Sequence, residues 1–167
     1  SSAASDVYKR QVAEYAFSLM LSVAKRIPEA DRFTKELQYQ GWAPELMLGA
    51  DLKGKTLGIL GAGRIGAGVA TRARYGLGMR IVYYDIKPNE QLEKELSATF
   101  MPTVDEVMKE ADVVSVHVPL LDSTKHRVNA ERLAMMKPTA YLINTSRGPV
   151  VDENALVEAL RNGTIAG

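Results

Sequence analysis

The stretch from Thr56 to Gly66, T-L-G-I-L-G-A-G-R-I-G, restricts what this chain can fold into more than any other. Leu57-Gly58-Ile59-Leu60 is a short apolar run of the kind that forms a parallel strand buried on both faces. It passes at once into Gly61-Ala62-Gly63-Arg64-Ile65-Gly66, the spacing G-x-G-x-x-G. The glycines have separate tasks in such a turn. Gly61 lets the chain leave the strand sharply, Gly63 offers a ligand a backbone without a Cβ, and Gly66 lets the next helix approach the sheet. That helix, expected from about Arg64 to Tyr75, aims free N–H groups and the positive end of its dipole at an anion over the turn.

The glycines alone are a weak signal, so the context decides. About 19 residues beyond Gly66 comes Arg80-Ile81-Val82-Tyr83-Tyr84-Asp85, a second strand ending in a carboxylate. An acid there accepts hydrogen bonds from ribose hydroxyls and repels a 2′-phosphate, favouring NAD over NADP. Strand, glycines, helix, strand and acid stand in register. The stretch therefore reads as a dinucleotide-binding unit, as opposed to a glycine-rich turn that binds nothing.

The rest of the chain supplies further strands and helices. Glu90 to Leu96 reads as a short helix, Ala98 to Met101 as a third strand, and Thr103-Val104-Asp105-Glu106 as a capping box opening a helix to about Glu110. Asp112 to Pro119 is a fourth strand, Asn129 caps a helix from Ala130 to Met136, and Ala140 to Ile143 is a fifth strand. Asp152 caps a last helix to Arg161, which Asn162-Gly163 stops. The alternation predicts an α/β fold, a Rossmann-type doubly wound parallel sheet with flanking helices. Ahead of it, Val12 to Ile27 has helical apolar spacing closed by Pro28, and is apolar nearly all round. Asp31 to Asp51 reads as a short helix and an extended arm through Trp42. Residues 1–11, S-S-A-A-S-D-V-Y-K-R-Q, fit nothing that follows and look like translated linker or adapter sequence, so the domain is taken as 12–167.

One further motif is rejected on context. Gly49 to Thr56 matches G-x-x-x-x-G-K-T, but a P-loop follows a strand and opens a helix, whereas this Gly-Lys-Thr stands directly before a strand. Composition narrows the classes further. A length of 167 residues suits one domain, and 21 basic against 20 acidic residues give a net charge of +1 with no sign of a nucleic-acid partner. The absence of cysteine removes disulfide frameworks and thiolate zinc sites, and two histidines are too few for a His-based metal cluster. No apolar run has the length of a membrane span and no secretory signal opens the chain. The default location is the cytoplasm, with organellar import left open.

Ligands of doubly wound sheets bind beyond the carboxyl ends of the strands. Three strand ends meet there: Gly61 to Gly66, Val116 to Pro119 and Asn144 to Gly148. Arg147, leaving a strand end beside Gly148, can take a substrate carboxylate bidentately and polarise an adjacent carbonyl; the alternative is pairing with a structural carboxylate. Thr124 and Thr145 can hydrogen-bond a cofactor or simply cap turns. His117 stands where an adenine would lie and is badly placed as a general base, and His126 falls in a polar turn.

Taken together, Gly61-Ala62-Gly63-Arg64-Ile65-Gly66, Tyr84-Asp85, His117-Val118-Pro119-Leu120 with Thr124, and Asn144-Thr145-Ser146-Arg147-Gly148 with Val151-Asp152 resemble the NAD-binding domain of the D-isomer-specific 2-hydroxyacid dehydrogenases. The likeness covers about Val12 to Gly167. Gly41-Trp42, Leu46 to Gly49 and Asn129 to Lys137 most resemble glyoxylate/hydroxypyruvate reductases. The resemblance implies NAD as cofactor and a small 2-oxo acid as substrate. It puts the backbone of Arg64 and Ile65 at the pyrophosphate, Asp85 at the adenosine ribose, His117 and Pro119 in the cofactor crevice, and Thr124 and the Thr145 main chain at the nicotinamide half. Arg147 becomes the catalytic arginine, while the Val12–Ile27 helix and Trp42 arm resemble dimer-forming elements. The family's catalytic histidine, its orienting glutamate and the substrate domain have no counterpart in this sequence, which stops at Thr164-Ile165-Ala166-Gly167, where a sixth strand is expected. On this reading the chain is an internal fragment with at most residual catalysis. The alternatives are phosphoglycerate or D-lactate dehydrogenase activity, and a dinucleotide-sensing binding protein like the corepressors that resemble this family.

Overall fold

The computed structural model describes residues 2–167; Ser1 lies outside the described residues. A sheet of five parallel strands has the order β3-β2-β1-β4-β5. Its strands are β1 (Thr56–Leu60), β2 (Arg80–Tyr84), β3 (Thr99–Phe100), β4 (Val113–Val116) and β5 (Tyr141–Asn144). The helices are α1 (Ser2–Ala24), α2 (Ile27–Lys35), α3 (Arg64–Leu77), α4 (Glu90–Leu96), α5 (Val104–Glu110), α6 (Ala130–Met135) and α7 (Glu153–Arg161). This is the expected doubly wound α/β fold.

Strand periodicity divides the core in two. Leu57, Ile59, Ile81, Tyr83, Val113 and Ile143 face one layer with α1, α3 and α4. Leu60, Val82, Val114 and Val116 face the other, where α5, α6 and α7 contribute Val107, Met108, Leu133 and Ala159. Each fully buried Leu or Ile stabilises the domain by about 2 kcal/mol through removal of apolar surface from water. Gly58 is the thin point of β1: a Cβ there would stand 2.6 Å from Val107 Cγ1 and 2.8 Å from Ala111 Cβ, so α5 lies directly on the strand.

The strand beginnings are held by charge. Asp112 accepts from Thr56 N at 2.8 Å and from Lys137 Nζ at 3.0 Å. Burial alone would raise its pKa, but these two donors hold the carboxyl below the usual carboxylate range. Thr56 is buried within this arrangement and enters β1, with Arg80 Nη2 donating to its Oγ1 at 2.6 Å. The Gly-Lys-Thr run thus feeds a strand and opens no helix, against a P-loop.

Several boundaries differ from expectation. The first helix is already formed at Ser2 and ends at Ala24, and Pro28 does not stop it. Arg26 adopts the left-handed region (φ +57°), and Pro28 sits in the first turn of α2, where its missing N–H costs nothing. The helix is not buried all round. Ala13, Ala16, Met20 and Ala24 form one buried stripe, and Tyr15 on another face is exposed. Strand β4 ends at Val116, three residues before Pro119, and a 3-10 turn at Gly148–Val150 follows β5. Beyond α7, Ala166 N donates to Ala140 O and Leu142 N to Gly167 O, both at 2.9 Å, so the last residues run alongside β5.

Candidate functional site

The three strand ends converge as the sequence implies. Gly61 N donates to Tyr84 O at 2.9 Å and His117 N to Leu60 O at 2.7 Å, knitting the ends of β2, β1 and β4 into one floor. Above it lie two clefts, of about 270 Å³ and 440 Å³, separated by the His117-Val118-Pro119 segment that lines both. Gly61, Gly63, Asp85 and Thr124 line the first; Ile65, Thr145, Ser146 and Arg147 line the second. Between them stands the N-terminus of α3.

The glycine geometry matches the three tasks read from the spacing. Gly61 has φ +95°, and a Cβ on it would meet the His117 carbonyl carbon at 2.9 Å. At Gly66 a Cβ would lie 2.1 Å from Gly61 O, closer than any packing allows. At Gly63 a Cβ would meet nothing within 4 Å, so a ligand can occupy that space. Gly63 supplies no side-chain cap to α3, and the first N–H in register with it is that of Ala67, bonded to Gly63 O at 2.8 Å. The N–H groups of Arg64, Ile65 and Gly66 precede that first turn, as the opening donors of a helix do, and are available to an anion. The Arg64 side chain pairs with Asp6 Oδ1 at 2.7 Å.

Asp85 has a structural duty beside any ligand role. Its Oδ2 accepts from Ala62 N at 2.8 Å and its Oδ1 from Ile86 N at 2.7 Å. Each oxygen keeps a lone pair for a ribose hydroxyl. Asn89, directly ahead of α4, clamps the same loop from the other side by donating from Nδ2 to Ala62 O at 3.0 Å while capping that helix. Nothing short of tertiary structure reveals that bond, although an Asn ahead of a helix is itself a capping signal.

Thr124 is buried, and its Oγ1 bridges Leu121 N at 2.8 Å and the Pro119 carbonyl, so it caps the turn. It lines the Asp85 cleft and not the Arg147 cleft. Thr145 is different. Its Oγ1 is buried in the second cleft without a hydrogen-bond partner, the kind of orphaned group that a bound polar ligand satisfies.

Arg147 is exposed, lines the second cleft and, among the described residues, pairs with no carboxylate; its Nη1 donates to its neighbour's Ser146 O at 2.9 Å. The loop beneath it is rigid. Asn144 accepts from Ser146 N and donates to Arg147 O, both at 3.0 Å, while Ser146 Oγ donates to Val118 O. Asn144 lies in β5 itself and belongs to the supporting structure of the site, a role hidden by its loop-like sequence context.

His117 is half-buried, with Nε2 2.8 Å from Ser115 Oγ, and burial pushes its pKa down to about 4. It is therefore neutral at pH 7, while an unfolded chain holds it near 6.5. The unfolded state binds the extra proton between those values, so this stabilisation is complete above about pH 6.5 and is lost as pH falls toward about 4. Denaturant titrations at about pH 7 and pH 5 should show a contribution of about 2 kcal/mol lost from this residue alone. His117→Gln should flatten that part of the profile; an unchanged slope would contradict the burial of the neutral ring. His126 lies 4.0 Å from Asp152 and lines neither cleft.

Among the described residues no helix is long and apolar enough to cross a membrane, and no group of three metal-ligating side chains exists. Comparison with known proteins agrees with this geometry. Residues 17–167 match the family model described as D-isomer specific 2-hydroxyacid dehydrogenase, NAD binding domain. A glyoxylate reductase of Korarchaeum cryptofilum is 49% identical over 162 residues, which cover 96% of this chain and 48% of the relative. A crystal structure of a Thermus thermophilus protein superposes with a TM-score of 0.88 at 45% identity, covering 95% of this chain and 49% of that one. The NAD-complexed D-isomer specific 2-hydroxyacid dehydrogenase of Lactobacillus delbrueckii ssp. bulgaricus gives 0.83 at 34% identity, over 95% and 46% of the two chains. The chain spans about half the length of the curated relatives it matches.

Proposed function

Because the chain belongs to the D-isomer-specific 2-hydroxyacid dehydrogenases through their NAD-binding domain, we propose that it is the cofactor-holding part of a cytoplasmic NADH-dependent reductase of small 2-oxo acids, glyoxylate or hydroxypyruvate first. The observation that carries this reading is Arg147, a guanidinium without a carboxylate partner among the described residues, on a braced loop across the second cleft from the helix N-terminus. The glycine turn and Asp85 fit a dinucleotide, and bound NADH would supply the hydride.

In this mechanism the N–H groups of Arg64, Ile65 and Gly66 hold the pyrophosphate, and Asp85 accepts from the adenosine ribose. Thr145 satisfies its buried hydroxyl on the nicotinamide side. Arg147 orients the 2-oxo acid by its carboxylate and draws charge onto the carbonyl oxygen as it becomes an alkoxide. His117 is unsuited to deliver the proton, being neutral with a pKa of about 4 and engaged with Ser115. That proton is assigned to a histidine in the half of the relatives that this chain does not span.

The same reading assigns a homodimer to the Val12–Ile27 helix and the Trp42 arm. Leu37 at 88% and Trp42 at 82% exposure, with Tyr39 and Leu48, place apolar surface on that arm which a second copy would cover.

Assay of the protein that carries this domain tests the activity. NADH oxidation with glyoxylate or hydroxypyruvate should exceed that with pyruvate or 3-phosphohydroxypyruvate. NADH binding with no turnover on any 2-oxo acid, together with capture of a protein partner, would favour the corepressor-like alternative.

A further inference from the structure

Two side chains lining the Asp85 cleft carry charge: Asp85 and Arg127. No sequence motif singles out Arg127. It is half-buried, and its guanidinium carbon lies 6.0 Å from the centroid of the ring of Tyr84, the residue before Asp85 in the chain. The neighbouring Arg132 is spoken for, pairing with Asp105 at 2.7 Å. Arg127 pairs with no carboxylate among the described residues. Its backbone is fixed from both directions, N–H to Thr124 O at 3.1 Å and carbonyl to Arg132 Nη1 at 2.7 Å.

We propose that Arg127 determines recognition of the adenine end of the cofactor, its guanidinium stacking on the base in the apolar cleft beside Tyr84. This rests on the dinucleotide reading of the cleft. A guanidinium is planar and weakly hydrated and forms favourable contacts with aromatic faces. The lining around it is mostly apolar, including Leu60, Val104, Val118 and Leu121, which suits a base and not a solvated anion. Asp85 in the same cleft opposes a 2′-phosphate, so the base is the group left for Arg127 to meet.

Calorimetric titration of the wild-type chain, Arg127→Ala and Arg127→Lys with NADH, NADPH and ADP-ribose tests this, with thermal midpoints as the folding control. Arg127→Ala should raise the Kd for NADH and for ADP-ribose by a common factor of about 5–10. Arg127→Lys, which keeps the charge but loses the plane, should recover only part of it. Unchanged affinities for NADH and ADP-ribose would overturn the assignment, as would a loss confined to NADPH or full rescue by lysine. Wild-type protein that binds none of the three would overturn the cofactor reading with it; wild-type binding with an indifferent Arg127→Ala overturns this inference alone.

Discussion

Gly66→Ala is expected to lower the thermal midpoint by roughly 10 °C and to abolish detectable NADH binding. The added Cβ would fall 2.1 Å from Gly61 O and 3.0 Å from Ile59 Cγ2. The first of these is a backbone atom in a turn whose φ of +95° leaves little freedom to retreat. The helix α3 must therefore move off β1, opening the layer that holds Val69, Ala70 and Ala73. Overpacking of this kind costs about 3 kcal/mol, and in a domain of this size each kcal/mol corresponds to about 2–4 °C. The same displacement takes the helix N–H groups away from the pyrophosphate position. Gly63→Ala supplies the contrast. Its φ of −72° suits alanine and its Cβ would enter open space, so the midpoint should stay within about 2 °C while NADH binding weakens roughly tenfold or more. Differential scanning calorimetry and NADH titration of both variants separate the packing role from the approach role. A stable, NADH-binding Gly66→Ala protein would contradict the geometry.

Arg147→Ala, in a protein carrying this domain with its substrate domain, is expected to lower kcat/KM for the 2-oxo acid by about 10³-fold while leaving the Kd for NADH within about a factor of two. The guanidinium is asked both to orient the carboxylate and to stabilise charge developing on the carbonyl oxygen, and loss of one such donor typically costs about 10²–10³ in rate. Arg147→Lys should restore only a small part, because an ammonium cannot make the two parallel bonds of the fork. Little structural loss should follow: the side chain is exposed, its one hydrogen bond is to the adjacent Ser146 carbonyl, and the loop is braced by Asn144. Near-normal turnover by Arg147→Ala would remove it from the catalytic machinery. Unfolding would move its role to structure.

What the sequence made legible was local. The glycine turn was legible because Gly61 and Gly66 answer short-range steric demands, and both demands appear in the structure, while Gly63 faces open space. The succession of parallel strands and flanking helices followed from continuous apolar runs separated by helical spacing, whereas the spatial order β3-β2-β1-β4-β5 was read from the structure. The helix start at Thr103 and the caps at Asn129 and Asp152 were legible because side chain and N–H lie within three residues. The break between α1 and α2 was not. Apolar spacing runs on through it, and a proline serves equally as a stop or as a first-turn residue until Arg26 is seen in the left-handed region. The contacts of Asn89 and Arg127 are not legible in the sequence for another reason. Their partners, Ala62 and Tyr84, are far away in sequence, and His126 at φ +49° turns the chain just before Arg127 in a way that residue types do not announce.

The most direct test of the cofactor site is calorimetric titration of this chain with NADH and NADPH. Tryptophan quenching suits it poorly, since Trp42 is exposed on the arm and lines neither cleft. Saturable binding with NADH tighter than NADPH is the predicted result, from the open space at Gly63, the N–H groups of α3 and the carboxylate of Asp85. A folded chain that binds neither nucleotide, or that prefers NADPH, would contradict it.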